Sequence, residues 1–109
     1  MNLSELTGNE LVQVLAALSN PHRLRVVAAV ADKPNYVSRL ARELGISRPL
    51  LQVHLRKLET AGLVTSSIEV SEDGKAMKFY RVVPFALDLT PSSVIMLAET
   101  ITIATDGKA

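Results

Sequence analysis

The feature that most constrains this chain is residues 37–64, where two short apolar-periodic segments flank Gly45-Ile46-Ser47. Gly45 suits the left-handed backbone at the C-cap of a helix. Ser47 can accept hydrogen bonds from the free amides of the next helix, and Pro49 lies in its first turn, where no donor is missed. The pattern predicts a helix-turn-helix over residues 37–61, whose second helix can enter a DNA major groove. The two predicted inward stripes are Val37, Leu40, Ala41 and Leu44, then Leu51, Leu55 and Leu58.

Composition narrows the class of protein. The length of 109 residues predicts one domain, and dimerisation would add to the burial that so short a chain achieves alone. The absence of cysteine excludes disulfides and thiolate metal sites. No run approaches about 18 uninterrupted apolar residues, and the N-terminus lacks the basic start of a secretory signal. We therefore expect a cytoplasmic protein with no membrane partner.

Helix signals and one hairpin signal account for the rest of the chain. We predict a first helix over residues 9–19, a second helix capped by Asn20-Pro21, and a fifth helix over residues 92–105. Two alternating segments around Asp73-Gly74 predict half-buried strands of a hairpin, the wing, over residues 63–83. Together these elements predict a single mainly α domain over residues 1–109, a winged helix-turn-helix with a small β-hairpin. In the first helix, apolar residues recur at helical spacing at Leu11, Val12, Leu15 and Leu18. The predicted inner face of the second helix is Leu24, Val27, Ala28 and Ala31.

With these blocks in place, the chain resembles the ArsR family of bacterial and archaeal winged-helix repressors. The resemblance covers roughly residues 11–83. It implies a dimeric transcriptional regulator, expected to be a repressor, that binds a palindromic operator. The blocks that carry it are LSNPHRLRVV at 18–27, LARELGISRP at 40–49, HLRKLETAGLV at 54–64 and FYRV at 79–82.

The chain departs from the metal-sensing members of that family. Such members usually carry cysteines on the helix that matches residues 37–44, or histidines and carboxylates on the last helix. Here there is no cysteine, and the predicted last helix offers only Glu99. Zinc and soft metals need clustered thiolate or imidazole ligands. We predict no metal at those sites and no other cofactor, and we assign no effector.

The predicted DNA-contacting face lies on the second helix of residues 37–61 and on the wing. Residues 37–61 carry five basic and two acidic residues, whereas the net charge of the whole chain is only +1. Arg48 can pair bidentately with guanine, Gln52 suits adenine, and Arg56 is expected to meet a phosphate. The predicted DNA-binding residues are Ser47, Arg48, Leu50, Gln52, Val53, Arg56, Lys75 and Lys78.

Several of these assignments have an alternative. Leu50 and Val53 either contact thymine methyl groups or pack within their own domain. Lys75 and Lys78 either meet phosphates or are ordinary solvated lysines. His54 is either a half-buried histidine bonded to a backbone carbonyl or a DNA contact.

The fifth predicted helix is apolar around too much of its circumference for a one-sided surface helix. Because exposed patches of that size are unusual on a monomer, we predict a homodimer built from the first and fifth helices. The alternative is a core that buries all of these side chains. The predicted dimer residues are Leu11, Leu15, Val94, Leu97, Ala98 and Ile101.

Two other classes of function compete with DNA binding. A winged-helix module that binds another protein is the main alternative, although such a face would be expected to carry aromatic anchors rather than arginine and glutamine. An enzyme is disfavoured because the chain has no cysteine nucleophile, glycine-rich phosphate loop or paired-carboxylate site. We therefore predict no catalytic residues.

Overall fold

The computed structural model describes residues 6–103, which form five helices and a three-stranded sheet. The strands are antiparallel, in the order β1-β3-β2. The predicted winged helix-turn-helix is confirmed. The elements are α1 (Gly8–Leu18), α2 (Pro21–Asp32), β1 (Asn35–Tyr36), α3 (Val37–Leu44), α4 (Arg48–Thr60), β2 (Val64–Val70), β3 (Ala76–Val82) and α5 (Pro91–Ala98).

The ends of the helices follow local capping signals. The Asn20 side chain accepts the first free amides of α2, and Ser47 Oγ accepts the Leu50 amide at the start of α4. Gly45 ends α3 with φ of 68°, in the left-handed region. These caps confirm the predicted turn between α3 and α4 and fix the angle at which α4 leaves it.

The core lies where α2, α3 and α4 meet the base of the sheet. Leu51, Leu55 and Leu58 are at most 1% exposed, which confirms the predicted inward stripe of α4. Leu40 of α3 and Val26 of α2 are fully buried in the same cluster. This packing holds α4 against the domain and leaves its opposite side free.

The inward face of α2 differs from the predicted one. Helix α2 buries Val26 and Val30, whereas Leu24 is 53% exposed and both Ala28 and Ala31 are exposed, so the predicted inner face is wrong for these three residues. Helix α2 is apolar on several sides, and its packing against α4 and β3 selects the side that is buried. In α1 the buried residues are Gly8, Leu11, Val14 and Ala17, while Val12 and Leu15 are exposed.

The hairpin of β2 and β3 is less buried than its alternating sequence predicts. Val64 at its base is buried, but Ile68 and Val70 are 69% and 73% exposed. These two side chains lie on the outer half of the hairpin, which extends away from the core. The short strand β1 was not predicted; its Asn35 is aligned with Tyr80 of β3, and Tyr36 with Phe79.

Helix α5 is shorter than the predicted helix over residues 92–105. It ends at Ala98, residues 101–103 are not helical, and residues 104 and 105 lie outside the described part of the chain. The residues that follow α5 are instead hydrogen-bonded to the start of α1. Thr100 Oγ1 accepts the Gly8 amide at 2.6 Å, and Asn9 exchanges two hydrogen bonds with Thr102.

Gly8 is the residue that allows this close approach. A Cβ atom there would overlap the carbonyl oxygen of Leu97 and the side chain of Ile101. The first turn of α1 therefore lies directly against the end of α5. Within residues 6–103, no helix has the length and apolar character needed to cross a bilayer.

Candidate nucleic-acid interface

The solvent side of α4 carries most of the predicted DNA-binding residues. Ser47, Arg48, Gln52 and Arg56 are all exposed. The two apolar members of the set, Leu50 and Val53, are 40% and 42% exposed. Neither is taken up by the core, so both side chains are available to a partner.

A depression of about 250 Å³ separates this side of α4 from the wing, and we call it the wing groove. It brings Arg48 and Gln52 of α4 together with Lys78 of β3. Three of its residues were not predicted from the sequence, because they depend on the pairing of β1 with β3 and on the placement of β3 beside α4. These residues are Tyr36, Ser38 and Met77.

Val53 and Arg56 line a different depression, of about 430 Å³, which we call the helix groove. It runs between α4, the second half of α1 and the start of α2. The structure therefore divides the residues predicted on α4 between two concave surfaces instead of placing them in one. The lining residues of the helix groove are Gln13, Ala16, Ala17, Arg23, Val53, Arg56, Lys57 and Thr60.

The two wing lysines differ in their surroundings. Lys75 lies at the tip, with its Nζ 4.0 Å from a carboxylate oxygen of Asp73. The hydrogen bond from Ser71 lowers the pKa of the Asp73 carboxyl, which keeps a negative charge beside Lys75. The Nζ of Lys78 lies 5.4 Å from the ring centroid of Tyr80, a cation–π distance. Lys78 is therefore the better placed of the two to present a positive charge to the wing groove.

An ion pair stiffens the other face of the hairpin. Arg81 of β3 donates a hydrogen bond to the Glu69 carboxylate of β2, and this contact lowers the pKa of Glu69. Residue 69 lies opposite residue 77 in the register, so its side chain and that of Lys78 are on different faces. The pair links the two strands without neutralising the lysine.

His54 of α4 is buried and has a side-chain partner instead of the predicted backbone carbonyl. Its Nδ1 is 3.3 Å from Nη1 of Arg23, and its ring stacks on His22 with the centroids 5.6 Å apart. Because arginine only donates, Nδ1 is the acceptor and Nε2 carries the proton. Burial, followed by the positive charges of Arg23, His22 and Lys57, lowers the pKa of His54. The neutral ring therefore connects α2 to α4.

The residues predicted for the dimer interface fall into two groups. Leu11 and Leu97 are each 7% exposed, because they are buried within the single chain, and they offer little surface to a partner. The other four residues are exposed, and further apolar side chains accompany them on α1 and α5. The exposed members of the predicted set are Leu15, Val94, Ala98 and Ile101, and the accompanying side chains are Val12, Ile95 and Met96.

The part of the chain that the structure describes contains no group of three or more histidine, aspartate or glutamate side chains arranged to hold a metal ion. The two histidines of the chain stack on each other beside an arginine rather than beside a carboxylate. The sequence-based prediction that the chain lacks a metal site stays a prediction.

Comparison with known proteins identifies relatives that share this helix-turn-helix. A family model described as bacterial regulatory protein, arsR family, matches residues 20–66, which include α2, α3 and α4. The HTH-type transcriptional regulator MJ0229 of Methanocaldococcus jannaschii is 40% identical over 76 residues, which span 70% of this chain and 79% of that protein.

Solved structures match the described fold as a whole. An ArsR-like transcriptional regulator from Rhodococcus sp. RHA1 has a TM-score of 0.60 at 28% identity, over 84% of this chain and 76% of that chain. The homodimeric winged helix-turn-helix DNA-binding domain Mb0332 from Mycobacterium bovis has a TM-score of 0.61 at 21% identity, over 84% and 74% of the two chains. Both likenesses support the winged helix-turn-helix fold described here.

Proposed function

The chain belongs to the arsR family of helix-turn-helix transcriptional regulators, and from that premise we propose that it is a repressor that binds a palindromic operator as a homodimer. The observation that carries the proposal is the wing groove. There, one concave surface combines Arg48 and Gln52, which suit base edges, with the positive charge of Lys78.

In the proposed complex, the first half of α4 lies in the major groove and the wing lies along the backbone. Arg48 and Gln52 are four residues apart and therefore lie on the same side of α4. Arg48 pairs with the O6 and N7 atoms of a guanine, and Gln52 with an adenine. Ser47, Lys78 and Arg56 contact phosphates, which supply affinity without sequence preference.

The proposed dimer is supported by the apolar surface of α1 and α5. Val94 and Ile95 are 49% and 67% exposed, and Leu15 is 38% exposed, so a single chain leaves a large apolar surface in water. The Mycobacterium bovis domain with the same fold is homodimeric. A two-fold dimer of this kind presents its two copies of α4 about 34 Å apart, one turn of the duplex.

The experiment begins with selection of bound duplexes from a random pool, followed by anisotropy titrations on the selected sequence. We expect Arg48→Ala to weaken specific binding by roughly 1–3 kcal/mol and to relax the preference at one base pair. Arg56→Ala should weaken all sequences alike and reduce the salt dependence by about one phosphate contact. Arg25→Ala on α2 is the matched control, since Arg25 is exposed and lines neither groove.

Two results would contradict the proposal. If Arg48→Ala bound every sequence as well as the wild type, the assigned reading face would be incorrect. If the wild type selected no sequence, the protein-interaction alternative would be favoured. Sedimentation equilibrium tests the dimer separately, because a mass of one chain, 11.8 kDa, at micromolar concentration would exclude it.

A further inference from the structure

We propose that the helix groove is a binding site for a small organic anion, a carboxylate that carries a short apolar body. The groove has a volume of about 430 Å³, within the range of small-molecule pockets. Three helices build it, so its shape comes from the packed domain and not from a loop. None of its lining side chains is acidic.

Among residues 6–103, the positive charges of the groove have no carboxylate partner. Arg56 and Lys57 are exposed, and the ion pairs among residues 6–103 involve other cations, namely Arg39, Lys75 and Arg81. Two adjacent cations on one helix, both facing a concave surface, favour a bound anion.

Arg23 adds a third cation, and its guanidinium is held in place before any ligand binds. It donates to the carbonyl oxygens of Ala16 and Ala17 at the end of α1 and to Nδ1 of His54. These contacts engage three of the five N–H groups of an arginine and leave two for a ligand. A guanidinium that is already oriented loses little entropy on binding.

The walls between these cations are apolar. Ala16 and Ala17 of α1 face Val53 of α4 across the groove, and Val53 is 42% exposed. A phosphate on the outside of a duplex needs only charged donors, whereas a small organic acid also needs apolar surface for its body. The combination therefore favours a small carboxylate over a DNA phosphate as the occupant.

Occupation of the groove has a consequence for DNA binding, which rests on the proposed function. Val53 and Arg56 belong both to this groove and to the proposed DNA face. An anion that engages Arg56 withdraws one phosphate contact and places negative charge beside the duplex. The bound anion therefore weakens DNA binding, as an inducer of a repressor would.

The site is tested first without DNA, by ¹H–¹⁵N NMR titration of the full chain with sodium benzoate. We expect saturable shifts at the amides of Ala16, Ala17, Val53 and Thr60. Benzyl alcohol, which lacks the charge, and inorganic phosphate, which lacks the apolar body, should each bind at least about tenfold more weakly. Equal binding of either probe would overturn the proposal, because the site would then recognise only an apolar group or only an anion.

Lys57→Gln provides the mutational test, because Lys57 is exposed and is not part of the proposed DNA face. It should weaken benzoate binding about tenfold. Lys33→Gln is the matched control: Lys33 is ten residues beyond Arg23 along α2, about 15 Å away along the helix. If the two variants bound benzoate equally well, or if Lys57→Gln lost DNA affinity while its benzoate affinity stayed the same, the proposal would be refuted.

DNA anisotropy then tests the competition, with benzoate compared with sodium chloride at equal ionic strength. Benzoate should raise the apparent Kd for the selected duplex in the wild type and in Lys33→Gln, and Lys57→Gln should need about tenfold more benzoate for the same effect. If benzoate bound the groove and left DNA affinity unchanged, the competition would be refuted. If the wild type bound no DNA at all, the proposed function would be refuted. The NMR titration would still show whether the helix groove binds the carboxylate.

Discussion

Acidification is predicted to destabilise this protein through His54. The ring is 5% exposed, and its Nδ1 accepts a hydrogen bond from Arg23. Burial lowers the pKa of His54 from 6.5, and the positive charges of Arg23, His22 and Lys57 lower it further. A proton on Nδ1 would replace the hydrogen bond with repulsion between two cations. The folded protein therefore resists protonation at a position that the unfolded chain protonates freely.

The sign and the size of the effect follow from linkage. Below pH 6.5, the ordinary pKa, the unfolded chain binds more protons at His54 than the folded chain does. The free energy of unfolding is therefore retained above that pH and falls as the pH drops below it. For one proton, the slope approaches about 1.4 kcal/mol per pH unit until the folded-state pKa is reached.

The assay is urea unfolding followed by circular dichroism, between about pH 5 and pH 7.5. His54→Asn is the informative variant, because its Oδ1 can replace Nδ1 as the acceptor for Arg23 and does not titrate. The wild type should lose stability on acidification, whereas His54→Asn should give a nearly flat profile over the same range. His22→Asn removes the stacked exposed ring and one of the smaller causes of the lowered pKa, so it should keep most of the slope, because burial and Arg23 remain. Parallel profiles for the wild type and His54→Asn would refute the reasoning.

Three further predictions use the same unfolding measurement. Gly45→Ala should cost about 1–2 kcal/mol from backbone strain alone, because an added Cβ meets nothing within 4 Å; no change would contradict the left-handed cap. Gly8→Ala should lower stability and speed hydrogen exchange in α5, because its Cβ would overlap the Leu97 carbonyl; unchanged exchange would mean that α5 is not docked there. Leu55→Ala, at a position 1% exposed, should cost roughly 2–5 kcal/mol, while Ile68→Ala, at a position 69% exposed, should change stability by less than about 0.5 kcal/mol. The reverse ranking would contradict the placement of the core.

Helix ends are predictable from this sequence because single side chains decide them. Asn20, Ser47 and Thr90 each accept amides at the start of a helix, and Gly45 ends another. These are interactions over two or three residues, so they need no knowledge of the fold. The order of the elements followed from the same signals.

Burial depends on partners that are distant in the chain and is harder to predict. Helix α2 carries apolar residues on several sides, so its periodicity does not distinguish Leu24 from Val26; contact with α4 and β3 does. Ile68 and Val70 alternate as a half-buried strand should, yet both are exposed on the outer half of the hairpin. In both cases the apolar periodicity is present in the sequence, but burial depends on whether a distant part of the chain packs against those residues.

In the candidate site, too, the features that depend on one helix could be predicted, and those that depend on distant elements could not. Arg48 and Gln52 could be assigned to the outer side of α4 once the inward stripe was known. The sequence could not show that Arg48 and Gln52 share one groove with Lys78, because that depends on the position of β3 beside the start of α4. Arg56 lies only about 40° around the helix from Gln52, yet α1 and α2 enclose it in a separate groove.

The hydrogen bonds between the start of α1 and the segment after α5 join residues 92 and 93 positions apart. Closing so long a loop costs more chain entropy than forming local contacts, so we expect these bonds to form after the local helices. During synthesis, α2, α3 and α4 can assemble while the first turn of α1 still lacks its partner. The apolar surface shared by α1 and α5 then comes together only after α5 has been made. In the proposed dimer, the surface that pairs two chains is therefore complete only when both ends of each chain are in place.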